Sequence, residues 1–436
     1  MKFNNESFCP ESWSQMVIDA EGDFKICCLS NFDNDFGMAI DSSKKVMNIA
    51  THSISEALNS ETHKSHRLTL ANNVWPKRCR SCLDSENALR SEEYIDGKSK
   101  RQGVIKQTAP SIPEYVTIDT AHLYTNEDGS VTSKVVNLDL RFGNLCNQKC
   151  IMCSPQHSNQ WYDDWAAISS DTPIYQKGEY KTFPLIQDDR GKIVMDGLQP
   201  WWETENWWKK FDEIAKNLRH IYFTGGEPLI VPAMQECLDR LVNAGYSKNI
   251  ELRYDTNLSV INSKVIDRWK HFKNVILCIS IDDTEERYEL IRFPGKYSKL
   301  IENVKTLKEN DIKIEYFSAC IGVASPYTVL RVLELAKQFN VATFFRFLEG
   351  PLWLDIRGYS SEAKRKIIKT LEESKYHDNE WVIGEINLLK QYMHTESRKD
   401  MEKFIRTMEI LDERRGTDWK KTLPDVVDLI RMSKYK

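Results

Sequence analysis

Long apolar runs, a basic surplus and a secretion signal are all missing from this 436-residue sequence. No segment approaches the ~18 consecutive apolar residues of a membrane-spanning helix. The N-terminus is polar and has no basic start followed by an apolar stretch, so we expect a cytoplasmic protein without a membrane partner. The formal net charge of −4 gives no reason to expect a nucleic-acid partner.

Cysteine, in contrast, is plentiful. The chain has 11 cysteines, and the cytoplasm keeps thiols reduced, so disulfides are not expected. All but Cys237, Cys278 and Cys320 fall into two groups whose spacing suits metal ligation. The length predicts two or three domains, and 41% hydrophobic residues with 28% charged ones are typical of a globular protein with a sizeable core.

The second group is Cys146, Cys150 and Cys153, a CxxxCxxC pattern. One short loop with this spacing can place three thiolates on three corners of a cubane iron–sulfur cluster, which leaves the fourth iron open for chemistry. Zinc ribbons differ, because their paired CxxC motifs close the metal with four protein ligands. The alternative is that three buried core cysteines share one loop by chance.

The first group lies in residues 1–108. Residues 16–26 alternate like a β-hairpin that turns at Glu21-Gly22-Asp23 and ends at Cys27 and Cys28. A helix is predicted near residues 53–72, before the CxxC pair Cys79 and Cys82. With Cys9 and one of the Cys27/Cys28 pair, these thiols complete a four-thiolate site. A cluster and a structural zinc both satisfy this arrangement.

Six short apolar runs alternate with amphipathic helical segments after residue 134. The runs are 135–142, 219–224, 250–256, 275–281, 312–321 and 341–347. This order predicts an α/β fold with right-handed βαβ units and a parallel sheet, in the form of a partial (β/α)6 TIM-like barrel. Chemistry in such sheets collects at the C-terminal ends of the strands, where the CxxxCxxC loop falls.

We therefore predict four regions: a small cysteine-rich auxiliary domain (1–108), a linker (109–134), the partial barrel (135–357) and C-terminal helices (358–436). The C-terminal helices are expected to pack against the barrel and to cover its open edge. A tryptophan-rich insertion at 169–208 either packs against the barrel or forms a wall of the substrate site.

The motifs of the barrel resemble, in order and in position, those of the radical S-adenosylmethionine (SAM) enzymes. They are CxxxCxxC after the first strand, Thr224-Gly225-Gly226-Glu227-Pro228 after the second and Ser280-Ile281-Asp282 at the end of the fourth. The resemblance implies that Cys146, Cys150 and Cys153 hold a [4Fe–4S] cluster whose open iron binds SAM.

Further positions of the cofactor site follow from this resemblance. The two glycines let the backbone approach SAM, Glu227 accepts a hydrogen bond from its ammonium, and Ser280 and Asp282 share a strand face toward the ribose. Arg292 is expected near the cofactor carboxylate, unless it is an ordinary surface arginine. The other candidates are Thr224, Asn257 and Met152. At the position of Met152, just before the last cysteine of the motif, relatives usually carry an aromatic residue.

The N-terminal unit resembles the SPASM auxiliary-cluster domain in its shortened form, called twitch, although relatives usually carry it after the barrel. Cys9, Gly22, Cys27, Cys79 and Cys82 carry the likeness, and the spacing from Gly22 favours Cys27 over Cys28. The resemblance favours a second [4Fe–4S] cluster over zinc.

These features predict an enzyme that cleaves SAM to a 5′-deoxyadenosyl radical and modifies a peptide or protein by crosslinking, oxidation or epimerisation. An electron donor such as flavodoxin or ferredoxin is expected. One alternative is a dehydrogenase of a small alcohol-bearing molecule, and another is a non-catalytic metal-binding scaffold. Cys278 is expected to point into the barrel, and Cys320 is a candidate hydrogen-atom donor, with a buried structural thiol as the alternative.

Overall fold

The structure, a computed structural model, describes residues 7–30, 36–88, 100–168 and 184–432. Residues 169–183, which begin the predicted tryptophan-rich insertion, lie outside the described residues. So do residues 1–6, 31–35 and 89–99 of the predicted N-terminal domain.

A single eight-stranded sheet organises the chain, with a separate two-stranded sheet formed by β4 and β5. The strands are β1 Gln15–Ile18, β2 Phe24–Lys25, β3 Asn137–Leu140, β4 Leu185–Gln187, β5 Ile193–Met195, β6 His220–Phe223, β7 Glu251–Thr256, β8 Asn274–Ser280, β9 Lys313–Ile321 and β10 Ala342–Phe347. The order in the large sheet is β10-β9-β8-β7-β6-β3-β1-β2. Its neighbours are parallel except for the antiparallel pair β1 and β2.

The six predicted strands of the barrel are therefore confirmed, as β3 and β6 to β10. The helices between them are α8 Tyr162–Ile168, α9 Glu205–Ala215, α10 Pro232–Asn243, α11 Ser263–Trp269, α12 Glu285–Ile291, α13 Tyr297–Glu309 and α14 Thr328–Phe339. Their apolar faces are buried; α14, for example, buries Val329, Val332 and Ala336. The fold is the expected mixed α/β arrangement of a partial barrel.

The predicted N-terminal hairpin is present, but it is part of the barrel sheet. Strand β1 pairs in parallel with β3, and Met16 lies opposite Leu138. Both side chains are fully buried, as is Ile18. Burial of these side chains joins the N-terminal unit and the barrel in one continuous hydrophobic core.

The segment predicted as a linker packs closely against the N-terminal unit. The Tyr115 hydroxyl donates to Glu11 Oε1 at 2.9 Å, and Arg67 donates to the Gly129 carbonyl at 3.1 Å. The helices of both segments are α1 Glu11–Ser14, α2 Ile54–Leu58, α3 Glu61–Ala71, α4 Arg80–Ala88, α5 Lys100–Gly103, α6 Ala109–Ser111 and α7 Ala121–Tyr124. These contacts tie residues 109–134 to the first unit.

The described tryptophans of the insertion pack against the barrel. Trp201 and Trp207 have ring centroids 5.6 and 6.0 Å from that of Phe142, just after β3. The Trp201 indole also donates to the Ala20 carbonyl at 3.2 Å. These contacts show that the described tryptophans pack against the barrel, which is one of the two roles expected for the insertion; a wall of the substrate site is the other.

Of the five C-terminal helices that the structure describes, α16 Glu380–Gln391 packs against the barrel edge at β10. The five helices are α15 Ser361–Glu372, α16 Glu380–Gln391, α17 Arg398–Arg415, α18 Trp419–Thr422 and α19 Pro424–Met432. The Trp381 ring of α16 lies 5.6 Å from the rings of both Phe344 and Phe345. Among the described residues, no helix combines the length and apolar character needed to span a membrane.

Candidate active site

The loop that carries Cys146, Cys150 and Cys153 follows β3 and is anchored to the segment after α12. The Lys149 and Ile151 amides donate to the carbonyls of Phe293 and Ile291 at 2.7 and 2.9 Å. The Trp161 indole donates to the Cys150 carbonyl at 2.9 Å. These bonds hold the loop rigidly at the C-terminal edge of the sheet, where the sequence placed it.

The three thiols of this loop are neighbours. Cys150 and Cys153 are within hydrogen-bonding reach of each other, and Cys146 lies beside both. Burial raises the pKa of Cys146 to about 12, so this thiol needs a bound metal to lose its proton. In the residues that the structure describes, no group of three or more His, Cys, Asp or Glu side chains surrounds a single metal-ion position.

Gly226 is needed for contact between the two motif loops. A Cβ at this position would lie 2.0 Å from the Leu145 carbonyl oxygen, well inside van der Waals contact. The Glu227 amide donates to the same carbonyl at 2.8 Å, and Gly225 has a φ of +117°. Both glycines are expected to let the backbone approach SAM, and in the structure Gly226 makes room for the cysteine loop.

The Glu227 carboxylate is buried and joins the ends of β6 and β7. One oxygen accepts from the Thr256 hydroxyl at 2.6 Å and the Leu229 amide at 3.1 Å. The other accepts from the Asn257 amide at 2.7 Å. Burial raises the pKa of Glu227 to about 7 despite these bonds. The second oxygen keeps a lone pair for a further donor.

Ser280 and Asp282 do not share a strand face as the alternation argument expected. Strand β8 ends at Ser280, and Asp282 has a left-handed φ of +56°, which breaks the alternation of side chains. The buried Asp282 carboxylate accepts from the Cys320 amide at 2.7 Å and pairs with Arg292 at 2.6 Å. It is thus directed at protein groups.

Arg292 connects Asp282 to the cysteine loop. Its guanidinium is buried, not at the surface, and it lies 3.8 Å from the Cys150 sulfur. Asn257 lies at the same loop, 3.0 Å from the Asn147 side-chain oxygen and 3.9 Å from the Cys146 sulfur. The remaining candidates are near by: the Thr224 amide donates to the Leu140 carbonyl, and half-buried Met152 packs against the core.

Four of the N-terminal thiols share one small cavity: Cys9, Cys27, Cys79 and Cys82 line it together. Cys28 lines a different and much larger cavity. Burial raises the pKa of Cys79 to about 12, so metal binding would have to remove its proton. This arrangement supports the expectation that Cys27, and not Cys28, completes the four-thiolate set.

The N-terminal thiols lie at the opposite edge of the sheet from the CxxxCxxC loop. Because β2 runs antiparallel to β1, its end at Lys25 returns toward the start of the barrel strands, where Gln15 pairs with Asn137. The Lys100 ammonium contacts both Gln15 Oε1 at 3.3 Å and Cys28 Sγ at 3.4 Å, so Cys28 lies near the start of β1. The barrel interior separates the two thiol groups.

The barrel interior is polar, a feature that was not predicted from the sequence. Arg253 contacts the Cys278 sulfur and the Tyr316 hydroxyl, each at 3.1 Å, and pairs with Glu315. Cys278 therefore points into the barrel as expected. The sequence contains a signal for this polar interior. Charged residues occupy alternate positions 251, 253 and 255 of an otherwise apolar run, and alternate residues of a strand share one face.

A cavity of about 1280 Å³ opens from this interior. Its lining includes Tyr222, Asp255 and Arg346 of the barrel, Cys28 and Lys100 of the N-terminal unit, and Trp381 of α16. Cys320 lies near the C-terminal end of β9 and pairs with Arg346 in the sheet. Burial raises the pKa of the Cys320 thiol. Its expected role as a hydrogen-atom donor stays a prediction.

Comparison with known proteins gives two sequence matches. Residues 140–336 match the radical SAM superfamily, and residues 9–83 match the SPASM iron–sulfur cluster-binding domain. No curated protein sequence matches the chain. The first matched segment contains Cys146, Cys150 and Cys153, and the second contains Cys9, Cys27, Cys79 and Cys82.

Solved structures show distant likeness. The chain is 16% identical to native anSMEcpe with bound AdoMet, with a TM-score of 0.36, and 60% of this chain covers 64% of that one. Streptococcus suis SuiB bound to S-adenosylmethionine is 11% identical with a TM-score of 0.35, and the match covers 87% of this chain and 71% of SuiB. The radical S-adenosylmethionine methyltransferase TsrM from Kitasatospora setae is 12% identical with a TM-score of 0.32, and the match covers 49% of this chain and 34% of TsrM.

Proposed function

We propose that the chain is a radical SAM enzyme that modifies a peptide or protein by hydrogen-atom abstraction. The matches to the radical SAM superfamily and to the SPASM domain support this. Its cofactors are SAM, the [4Fe–4S] cluster of the radical SAM domain and an auxiliary iron–sulfur cluster. Together, SAM and its cluster supply a 5′-deoxyadenosyl radical. Flavodoxin or ferredoxin as electron donor, and a cytoplasmic location, are parts of the proposal.

The residues of the C-terminal edge have separate tasks in this proposal. Cys146, Cys150 and Cys153 hold the first cluster and leave one corner open to SAM. Arg292 places a positive charge next to this loop, because it contacts Asp282 and Cys150. Glu227 keeps the two motif loops together and offers its remaining lone pair to the cofactor ammonium.

Cys9, Cys27, Cys79 and Cys82 hold the auxiliary cluster at the other edge of the sheet. Cys82 lines both the thiol cavity and the large cavity, so a cluster held by these thiols would supply an electron acceptor beside the barrel interior. Oxidation or crosslinking of the substrate needs such an acceptor.

The size and length of the large cavity favour a peptide over a small molecule as the substrate. Its volume of about 1280 Å³ exceeds the ~300–1,000 Å³ that small-molecule sites usually have. It extends from Arg346 near the C-terminal edge to Cys28 and Lys100 at the other edge. A peptide segment with one side chain in the barrel would fill this space.

The first experiment measures 5′-deoxyadenosine after anaerobic reconstitution of both clusters and chemical reduction. The wild-type chain is expected to form it, and a Cys146→Ala, Cys150→Ala, Cys153→Ala variant is expected to form none. A fully loaded and reduced wild-type protein that releases no 5′-deoxyadenosine would contradict the enzyme assignment.

The second experiment identifies the substrate class. Perdeuterated cells supply two pools, a peptide digest and a low-mass metabolite fraction, and mass spectrometry follows deuterium into 5′-deoxyadenosine. We expect transfer from the peptide pool. Transfer from the low-mass fraction alone would favour oxidation of a small alcohol-bearing molecule.

A further inference from the structure

In the part of the chain that the structure describes, the charges of the barrel interior are paired, with one exception. Arg253 pairs with Glu315, Lys100 with Glu11 at 3.3 Å and Arg141 with Asp139 at 3.7 Å. The fourth carboxylate of this group is Asp255. Among the described residues, no lysine or arginine nitrogen lies within ion-pair distance of it.

Asp255 is also short of hydrogen-bond donors. Its Oδ2 accepts from the Tyr222 hydroxyl, whereas its Oδ1 is inaccessible to water and accepts no hydrogen bond from the residues that the structure describes. A buried acceptor without a donor destabilises the site unless a ligand satisfies it. Asp255 as a whole is half-buried and lines the large cavity, so a ligand can contact its carboxylate there, and a small rotation of the side chain would present Oδ1 to it.

A second carboxylate, on β3, has the same shortage. Asp139 is fully buried, and within the described part of the chain neither of its oxygens accepts a hydrogen bond. It lies opposite Tyr222 in the sheet, so Asp139, Tyr222 and Asp255 are on the three neighbouring strands β3, β6 and β7. The described part of the interior thus has buried carboxylate oxygens without donors. Burial raises the pKa of Asp139 to about 7, which leaves Asp255 as the carboxylate of this group without a cationic partner.

The described residues at the mouth of the cavity supply no net positive charge that could balance Asp255. Its lining has two cations, Arg346 and Lys390, and two carboxylates, Glu349 and Glu380. Burial lowers the pKa of His220, deeper in the cavity, to about 3, so this imidazole is neutral near pH 7. The deficit of positive charge is confined to the interior.

The unpaired carboxylate also lies next to the cofactor motifs. Asp255 precedes Thr256, whose hydroxyl bonds Glu227, and Tyr222 lies two residues before Thr224. A group bound to Asp255 would therefore sit just inside the barrel from the edge that carries the SAM motifs.

We propose that the barrel interior binds the cationic end of a lysine or arginine side chain of the substrate, with Asp255 as the specificity-determining residue. An ammonium or guanidinium group brings both the positive charge and several N–H donors. This inference rests on the proposed function for its reaction but not for its binding step, so the two can fail separately.

The test measures binding without turnover. Isothermal titration of the reconstituted enzyme with SAM and without reductant uses Nα-acetyl-lysine methylamide and the isosteric Nα-acetyl-norleucine methylamide. We expect the lysine probe to bind at least about tenfold more tightly, and Asp255→Asn to remove that preference. Glu349→Gln, at the mouth, is the matched control and should leave it unchanged.

Two further variants separate charge from folding. Asp255→Glu keeps the carboxylate and should restore the preference, and Tyr222→Phe removes only the hydroxyl and should keep it. Equal binding of the two probes, no binding of either, or an unchanged preference in Asp255→Asn would each overturn the inference. Loss of 5′-deoxyadenosine formation, measured separately, would speak against the proposed function instead.

Discussion

At the scale of single residues, the ion pair between Asp282 and Arg292 is the main link between the SAM motifs. It is almost completely buried, with side-chain exposures of 1% and 10%. A buried charge that loses its partner destabilises a protein far more than the intact pair stabilises it. The pair therefore behaves as one unit, and the two side chains should be exchanged together.

Replacement of Arg292 by methionine should lower the free energy of unfolding by about 3–5 kcal/mol, because it leaves the Asp282 carboxylate buried and uncompensated. The double variant Asp282→Asn, Arg292→Met should recover most of this loss. Urea unfolding of the metal-free chain measures both. A double variant as unstable as the single one would show that the pair does not act as a unit.

The auxiliary cysteines allow a matched comparison of neighbours. Cys27→Ala should lower the iron content from about eight toward about four atoms per chain, since the auxiliary cluster keeps three thiolates and, unlike the first cluster, has no SAM to cover the open iron. Cys28→Ala should retain about eight, because Cys28 lies in the other cavity. Iron analysis with Mössbauer spectroscopy after reconstitution checks this; the reverse pattern would assign the ligand to Cys28.

At the scale of elements, the turn after β6 and the cysteine loop are packed backbone to backbone. Gly226→Ala should displace the loop, because the new Cβ has no room beside the Leu145 carbonyl. We expect a loss of at least about tenfold in SAM affinity together with incomplete loading of the first cluster.

Gly103→Ala is the control for this glycine. No atom lies within 4 Å of the corresponding Cβ position, and alanine favours the helical conformation there. Equilibrium dialysis with labelled SAM and iron analysis compare the two variants. Normal SAM binding by Gly226→Ala would show that the loops can separate without loss of function.

The elements themselves differed in how well their sequences predicted them. The six barrel strands were predictable because each is a short apolar run between amphipathic helices, and the hairpin because its alternation and turn are local. The pairing of β1 with β3 was not, since it joins residues about 120 positions apart without a local signal. For Asp282, the strand pattern failed because its backbone turns left-handed.

Within the candidate site, the cysteine ligands could be named from spacing, whereas the barrel interior could not. Arg253 and Asp255 interrupt an apolar run, and only the curvature of the sheet shows that both face a common space. The split of Cys27 and Cys28 between two cavities likewise depends on the path of the chain after β2.

At the scale of the whole molecule, the N-terminal unit supplies part of the barrel core. Leu138 and Leu140 of β3 are fully buried beside β1. Removal of residues 1–108 should therefore expose the β3 edge and leave an aggregating fragment. Light scattering on a size-exclusion column measures its state of association.

A full-length Cys9→Ala, Cys79→Ala variant separates the two contributions of this unit. It lacks two auxiliary ligands but keeps β1, and we expect it to elute as the same species as the wild-type chain. A monodisperse, folded 109–436 fragment would show instead that the barrel does not need β1.

The parallel pairing of β1 with β3 also has a consequence for the order of synthesis. Strand β1 leaves the ribosome 122 residues before the end of β3, since its last residue is Ile18 and that of β3 is Leu140. At roughly 5–20 residues per second, about 6–24 s separate the two. During that interval the nascent hairpin offers an open edge, and all five cysteines of the N-terminal unit emerge before β3 is complete, so chaperone binding and iron–sulfur delivery would act first on this unit.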